Sequence, residues 1–287
     1  MAILKSVNYW SFPGGLDATL CPFEAMQLAK EYGYDAIELC LGGDPEMGFD
    51  TTEEFCQKLV QESKELGIPI SSVASGSYWT CALGDADAGS RAQAKENLEK
   101  MIQIASWLGA KTLLTIPGAV DVFFLPDRKR LPYEHVFKHA TEGLRSVLPT
   151  AERLGVRLGI ENVWNKFLLS PHEMAEFIDQ FNSPWIGAYV DIANLMPFGH
   201  PADWLRTLGN RVVGIHFKDY RRSVGTVDGF VDLLEGDVPW PEVMETIREI
   251  GYDGPIAAEM IPGYAHYPMV RIANTSKAMD AILGRTA

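Results

Sequence analysis

Short apolar runs and longer amphipathic segments alternate along the chain. The apolar runs are rich in Val, Ile, Leu and Ala, which is typical of buried parallel strands, whereas the longer segments repeat apolar residues at helical spacing. For example, the strand-like VRLGIEN at 156–162 is followed by the helix-like SPHEMAEFIDQF at 170–181. Eight such strand–helix pairs follow one another from ILKSVNY at 3–9 to VRIANTSKAMDAILG at 270–284. The pattern therefore predicts a protein built from repeated strand–helix units.

Glycine and proline residues mark the ends of the predicted helices. A glycine follows six of the amphipathic segments, as a left-handed helix C-terminus favours: Gly33, Gly67, Gly109, Gly155, Gly209 and Gly251. The 287 residues give about 36 per unit, and no Pro/Ser-rich linker interrupts the series. We therefore predict one closed (β/α)₈ barrel as a single domain over residues 1–287. An open doubly wound sheet is the alternative, but no GxGxxG motif follows the first strand.

Four polar residues stand at the ends of four successive apolar runs. Glu161, Asp191, His216 and Glu259 end the fifth to eighth predicted strands, and a barrel brings those strand ends to one mouth. Two like charges about 4 Å apart repel by about 4 kcal/mol at an effective dielectric near 20, so three carboxylates meeting there are destabilising unless they are protonated or bind a cation. Oxygen ligands with one imidazole suit Mn²⁺ or Mg²⁺ and tolerate Co²⁺ or Zn²⁺. We predict a divalent metal site, with Mn²⁺ as the favoured ion.

Composition and charge restrict the partners of the chain. Apolar residues make up 47% and charged residues 22%, the balance of an ordinary globular protein with a core. The net charge of −13 disfavours nucleic acid and anionic membranes, because both repel an acidic surface. The four cysteines form no CxxC motif, and no apolar stretch is long enough to span a bilayer. We expect a cytoplasmic protein that acts on a small molecule.

Several segments resemble a known family. LGIENVWNKFLLSP, YVDIANLM, GIHFKDYRR and LEGDVPWPEVMETIREIGYDGPIAAEM are similar to segments of the xylose isomerase-like barrel superfamily, and within it to the sugar and sugar-phosphate 3-epimerases. The pair VDIANL and HFKD most resembles the L-xylulose- and L-ribulose-phosphate 3-epimerase type. The resemblance implies that Glu161, Asp191, His216 and Glu259 bind one divalent ion, and that Glu161 and Glu259 also transfer protons. It further implies a homodimer or homotetramer.

Two departures separate the chain from the free-ketose 3-epimerases of the tagatose or psicose type. Those enzymes have a histidine three residues after the aspartate of the sixth strand, where this chain has Asn194. They also have a glutamate shortly after the ligand of the fifth strand, where Phe167 and Leu168 stand here. Arg222 occupies the position of a substrate-contacting arginine in that family, with Arg221 as the alternative.

The remaining candidate substrate contacts lie close to predicted strand ends. Glu38 ends the second strand, and Lys218 follows the seventh strand. We predict substrate contacts from Glu38, Asn194, Lys218 and Arg222. The alternatives are a structural role for Glu38 and a solvated charged loop for Lys218 and Arg222.

The residues at the predicted mouth suit proton transfer beside a carbonyl group. Glu161 and Glu259 can serve as the acid–base pair on opposite faces of a sugar, while the metal stabilises an enediolate. We therefore predict 3-epimerisation of a ketose or ketose phosphate. The alternatives are elimination by a dehydratase of inositol ketones or a lyase of 3-keto glycosides, which begin with the same proton abstraction, and aldose–ketose isomerisation.

Overall fold

A computed structural model describes residues 3–42 and 47–285 of the chain. The strands are β1 (Lys5–Asn8), β2 (Ala36–Leu41), β3 (Ile70–Ser75), β4 (Thr112–Thr115), β5 (Arg157–Glu161), β6 (Ile186–Asp191), β7 (Val212–Phe217), β8 (Asp219–Tyr220), β9 (Phe230–Val231) and β10 (Ile256–Ala258). Eight of these strands are parallel and close into a barrel in the order β1-β10-β7-β6-β5-β4-β3-β2, and β1 pairs with both β2 and β10. The two short strands β8 and β9 form a separate antiparallel pair.

A helix follows each strand of the barrel, so the predicted (β/α)₈ barrel is confirmed. All six glycines that were predicted to end helices have a positive φ, the backbone conformation that a residue without Cβ adopts at little cost. The principal helices are α1 (Pro22–Glu31), α2 (Glu53–Leu66), α3 (Ala88–Trp107), α4 (Tyr133–Leu154), α5 (Pro171–Asp179), α6 (Pro201–Leu208), α7 (Trp240–Glu249) and α8 (Pro268–Ile282).

Two glycines make room for a tyrosine inside the barrel. Tyr189 lies on β6 between Gly159 of β5 and Gly214 of β7. A Cβ atom at Gly214 would stand 2.5 Å from the Tyr189 ring, and one at Gly159 would stand 3.0 Å from it. Because no such atoms are present, the ring fits between the neighbouring strands, and its hydroxyl reaches Glu38 on β2. These glycines therefore allow a polar contact across the barrel interior.

The segment between β7 and α7 is held to the barrel by Asp219. This buried carboxylate accepts hydrogen bonds from the backbone N–H of Tyr220 (2.8 Å), Leu234 (2.9 Å) and Val238 (3.2 Å), and from Trp240 Nε1 (3.0 Å). The chain around Asp219 is crowded, since a Cβ at Gly236 would lie 2.0 Å from its Oδ1. Asp219 therefore fixes the β8–β9 hairpin and the start of α7 beside the mouth.

We expect Asp219→Asn to destabilise the fold by about 3 kcal/mol, because the amide loses the charge and places donors against buried N–H groups. Urea unfolding followed by circular dichroism measures the free energy of unfolding. The matched control is Asp228→Asn, since Asp228 is an acid of the same loop whose carboxylate accepts a single, 3.4 Å bond, from Thr226, among the residues that the structure describes. Equal stabilities of the two variants would contradict the anchoring role of Asp219.

The described residues include no helix with the length and apolar character needed to cross a bilayer. The four cysteines are all free thiols: Cys21, Cys40, Cys56 and Cys81.

Candidate metal centre

The four residues predicted as metal ligands lie together at the carboxyl-terminal end of the barrel. Glu161 ends β5, Asp191 ends β6, His216 lies near the end of β7 and Glu259 directly follows β10. Parallel pairing places Asp191 opposite His216. Each residue offers one ligand atom, and these four atoms lie within 4.8 Å of one another. All four side chains are buried, so the fold brings them into one shielded cluster.

Distances within the cluster are suited to a shared cation. His216 Nδ1 lies 3.6 Å from Glu161 Oε1, 4.0 Å from Asp191 Oδ2 and 3.5 Å from Glu259 Oε2. Among the described residues, His216 Nδ1 has no hydrogen-bond partner although it is buried, and the buried Asp191 Oδ2 has no hydrogen bond beyond its ion pair with Lys218. Buried polar atoms are usually satisfied, and three carboxylates with one imidazole form a ligand set for a divalent ion. The residues present therefore fit a divalent metal.

Local hydrogen bonds orient the Asp191 carboxylate. Its Oδ1 accepts from the backbone N–H of Ala193 and Asn194, each at 3.0 Å, which leaves Oδ2 to face the cluster. Asn162 holds the same strand end, since it donates to Asp191 O (2.8 Å) and accepts from Asp191 N (2.9 Å). Asn194 Nδ2 donates to Asn162 O at 3.0 Å. The side-chain amide of Asn194, predicted to contact substrate, is thus bound to the backbone beside the site.

Glu38 lies behind His216, at the side of the imidazole away from the cluster. Its carboxylate is fully buried and accepts a 2.6 Å hydrogen bond from His216 Nε2. Asn8 Nδ2, Ser72 Oγ and Tyr189 OH also donate to it, each at 2.6 Å. The structure therefore places Glu38 inside the barrel with both carboxylate oxygens bonded to protein groups, which favours the structural role over substrate contact. Sequence reasoning missed Asn8, Ser72 and Tyr189.

Lys218 belongs to the cluster, whereas Arg222 does not contact it. Lys218 Nζ lies 2.9 Å from Asp191 Oδ2 and forms an ion pair with Glu259, so this lysine is not part of a solvated loop. Arg222 is exposed in the turn after β8, where its backbone N–H donates to Asp237 Oδ2 at 2.8 Å. Within residues 3–42 and 47–285, Arg222 forms no ion pair with any of the four ligands.

The electrostatic environment of the cluster favours positive charge. Burial raises the pKa of the Glu161 carboxyl to about 7, although the neighbouring His216 acts in the other direction. Burial alone lowers the pKa of His216, but the charges of Glu38 and Glu259 outweigh burial and raise it well above the ordinary value. Burial likewise opposes ionisation of Glu38, yet His216 and hydrogen bonds lower its pKa to about 2. The negative potential that raises the pKa of His216 also attracts a metal ion.

The segment from 117 to 132 borders the mouth. The Phe124 ring packs 5.0 Å from Trp79, and the Phe123 ring lies 6.0 Å from Trp164, both measured between ring centroids. Phe123 and Trp164 help to line a predominantly apolar, partly open cavity of about 610 Å³ between loops that follow β4 to β7. Trp164 also packs 5.2 Å from Phe230. The segment thus contacts the loops after β3 and β5 on the face that carries the cluster.

Comparisons with known proteins agree with this architecture. The family profile described as "Xylose isomerase-like TIM barrel" matches residues 26–281. L-ribulose-5-phosphate 3-epimerase UlaE of Escherichia coli O1:K1 / APEC is 27% identical over 286 residues, which cover 99% of this chain and 96% of that protein.

Solved structures show the same fold. D-psicose 3-epimerase with D-tagatose from Clostridium cellulolyticum H10 has a TM-score of 0.80 at 15% identity, covering 98% of each chain. The IOLI protein with a zinc atom has a TM-score of 0.76 at 15% identity, covering 99% of each chain. Because the family profile spans most of the sequence, this chain belongs to the xylose isomerase-like TIM barrel family.

Proposed function

We propose that this protein is a divalent-metal-dependent 3-epimerase of a ketose or ketose phosphate. The single observation that carries the proposal is the buried cluster at the barrel mouth, where ligand atoms of three carboxylates and one imidazole lie within 4.8 Å of one another. The similarity to a protein named as an L-ribulose-5-phosphate 3-epimerase, which extends over nearly the whole chain, supports the reaction and favours a phosphorylated pentulose as the substrate class.

Glu161 and Glu259 are the proposed proton-transfer pair. They end the outer two of four adjacent strands, β5-β6-β7-β10, so they flank the cluster from two sides. One carboxylate removes the proton from carbon 3, which leaves an enediolate, and the other group, as the carboxylic acid, donates a proton to the opposite face of carbon 3. The two groups exchange protonation states in each turnover, and the configuration at carbon 3 is inverted.

The other residues of the cluster hold the reactants in place. A bound divalent ion, for which we propose Mn²⁺ with Mg²⁺, Co²⁺ or Zn²⁺ as alternatives, supplies Lewis-acid stabilisation of the enediolate oxygens. Asp191 and His216 hold that ion together with the two glutamates. The Lys218 ammonium lies beside Asp191 and Glu259, and we assign it a contact with a substrate oxygen. We assign Arg222 a contact only with a substrate that extends over the turn after β8, such as a sugar phosphate.

Two predicted substrate contacts are not part of this proposal. The carboxylate of Glu38 accepts a hydrogen bond from His216, and the side-chain Nδ2 of Asn194 donates to Asn162 O. Elimination on inositol ketones or 3-keto glycosides is not favoured, since the similar protein of Escherichia coli and several similar structures carry the names of 3-epimerases.

Proton NMR in D₂O tests the proposal directly. The enzyme is supplied with diamagnetic Mg²⁺ and a panel that contains L-ribulose 5-phosphate, L-xylulose 5-phosphate, D-psicose and D-tagatose. We expect deuterium at carbon 3 together with an accumulating epimer, and faster reaction of the phosphorylated sugars. Formation of an aldose would indicate isomerisation, and loss of a hydroxyl group would indicate elimination. Absence of exchange across the panel would contradict the epimerase.

We further propose that residues 1–287 form one barrel domain and that the protein is a cytoplasmic homodimer or homotetramer. The free state of all four cysteines supports a reducing compartment. Light scattering coupled to size-exclusion chromatography measures the mass of the assembly, and a mass of 31.8 kDa, that of a single chain, would contradict assembly.

A further inference from the structure

We infer that Glu38 is a positioning residue that determines which nitrogen of His216 faces the metal. The inference rests on the metal site of the proposed function and adds a residue that does not itself touch metal or substrate. Its basis is the 2.6 Å hydrogen bond between His216 Nε2 and Glu38 Oε1, inside a fully buried polar group formed by Glu38, Asn8, Ser72 and Tyr189. We call the last three residues the Glu38 cradle.

The direction of this hydrogen bond follows from the chemistry of the two groups. An ionised carboxylate only accepts hydrogen bonds, so His216 Nε2 carries the proton in the bond to Glu38. A neutral imidazole protonated at Nε2 has its lone pair on Nδ1. Nδ1 is the nitrogen that faces Glu161, Asp191 and Glu259. Glu38 therefore selects the tautomer that can bind a metal at the cluster.

The Glu38 cradle prevents the carboxylate from turning away from His216. Asn8 Nδ2 donates to Oε1, while Ser72 Oγ and Tyr189 OH both donate to Oε2. Asn8 is itself held by the backbone N–H of Trp10, which donates to its Oδ1 at 2.7 Å. Because both carboxylate oxygens have fixed donors, the orientation of Glu38 is set by strands β1, β3 and β6. Strands β1, β2 and β3 carry no metal ligand, but through Asn8, Glu38 and Ser72 they hold the His216 ring on β7 in place.

Packing restricts the imidazole as well. The Tyr189 ring lies 4.7 Å from the His216 ring, between centroids, at an interplanar angle of 65°. His216 is fully buried, so a flip of the ring requires displacement of Tyr189 and loss of the bond to Glu38. Outer partners of this kind fix the tautomer and orientation of a histidine ligand and raise its basicity.

The first test compares Mn²⁺ binding by metal-depleted wild type, Glu38→Gln and Tyr189→Phe, with electron paramagnetic resonance measuring free Mn²⁺. We expect Glu38→Gln to raise the Kd for Mn²⁺ by about 10- to 100-fold. Tyr189→Phe removes one donor to Glu38 but keeps its charge and its bond to His216, so we expect a change below about fivefold. Apo-protein melting temperatures are measured in parallel, since a purely structural role lowers them without changing Kd.

The outcomes separate this inference from the proposed function. A folded Glu38→Gln protein with the wild-type Kd would overturn the positioning role alone, whereas a wild type that binds no Mn²⁺ would overturn the metal site and the inference with it.

The second test does not depend on the folding of a variant. Wild-type protein labelled with ¹⁵N-histidine is loaded with ¹¹³Cd²⁺, and one-bond coupling identifies the nitrogen that binds the metal. We expect coupling to Nδ1 of one histidine whose Nε2 carries a slowly exchanging proton. Coupling to Nε2 would overturn the inference.

Discussion

We expect Glu259→Gln to lower kcat by at least about 10³-fold while the barrel stays folded. Glutamine has nearly the shape of glutamate, so the substitution removes the proton-transfer group and a charged ligand with little change in packing. Glu259 is buried and forms an ion pair with Lys218, which keeps Asp191 as a second partner in the variant. The NMR assay at carbon 3 measures turnover, and circular dichroism measures folding.

Glu245→Gln is the matched control for this variant. Glu245 is an exposed glutamate of α7, so the same chemical change there alters the net charge equally without touching the cluster. We expect wild-type turnover from this control. A Glu259→Gln enzyme within about tenfold of wild type would contradict the two-glutamate mechanism, because a general acid–base group is worth more than that factor.

Removal of the divalent ion is expected to abolish turnover and to destabilise the protein. Without the ion, the close positive partners of the buried carboxylates of Glu161, Asp191 and Glu259 in the described part of the chain are His216 and Lys218. Dialysis against EDTA gives the depleted enzyme, and we expect Mn²⁺ to restore activity. At a free ion concentration of 100 times Kd, binding stabilises the folded state by about 2.7 kcal/mol, which calorimetry detects as a higher melting temperature.

The control for metal removal is addition of K⁺ at matched ionic strength, which we expect to restore neither activity nor melting temperature. Elemental analysis of the dialysed sample verifies depletion. A depleted enzyme that retains full activity would contradict any role of the ion in the reaction.

The sequence was sufficient to predict the barrel and the cluster, because both depend on local signals. Each strand is short and apolar, and the position of Glu161, Asp191, His216 and Glu259 at strand ends follows from the period of the pattern alone. Parallel strands in a closed barrel then bring these residues to one mouth. No contact between distant segments had to be known in advance.

Glu38 shows the limit of this reasoning. The sequence predicts it at the end of the second strand, like the ligands, whereas in the structure β2 continues to Leu41 and Glu38 lies within the strand. Its sequence context does not distinguish a side chain inside the barrel from one that faces the mouth. Its partner His216 is 178 residues away, and pairings at that separation leave no local signal. One sequence feature relates to this interior group: the glycines Gly159 and Gly214 leave room for Tyr189 between the strands.

Arg222 and Asn194 show a different limit of this reasoning. Both are predicted as substrate contacts from their distance along the chain to a ligand, but the direction of the chain after a strand end depends on the loop. Asn194 enters a short 3₁₀ turn that directs its amide to Asn162, and Arg222 enters the β8–β9 turn at the surface. The distance of a residue along the chain from a strand end predicts where its side chain lies only while the chain keeps the strand conformation.

Asp219 attaches the base of the β8–β9 hairpin but not its tip, so the two parts of this loop can serve different purposes. Residues 221–226 at its tip are all exposed, whereas the base beside Lys218 is fixed by the four donors to Asp219. Changes in the sequence or length of the tip therefore leave the position of Lys218 unaltered. The hairpin is a natural place for this scaffold to acquire new substrate preferences, and a suitable site for a randomised library, while the proton-transfer chemistry stays constant.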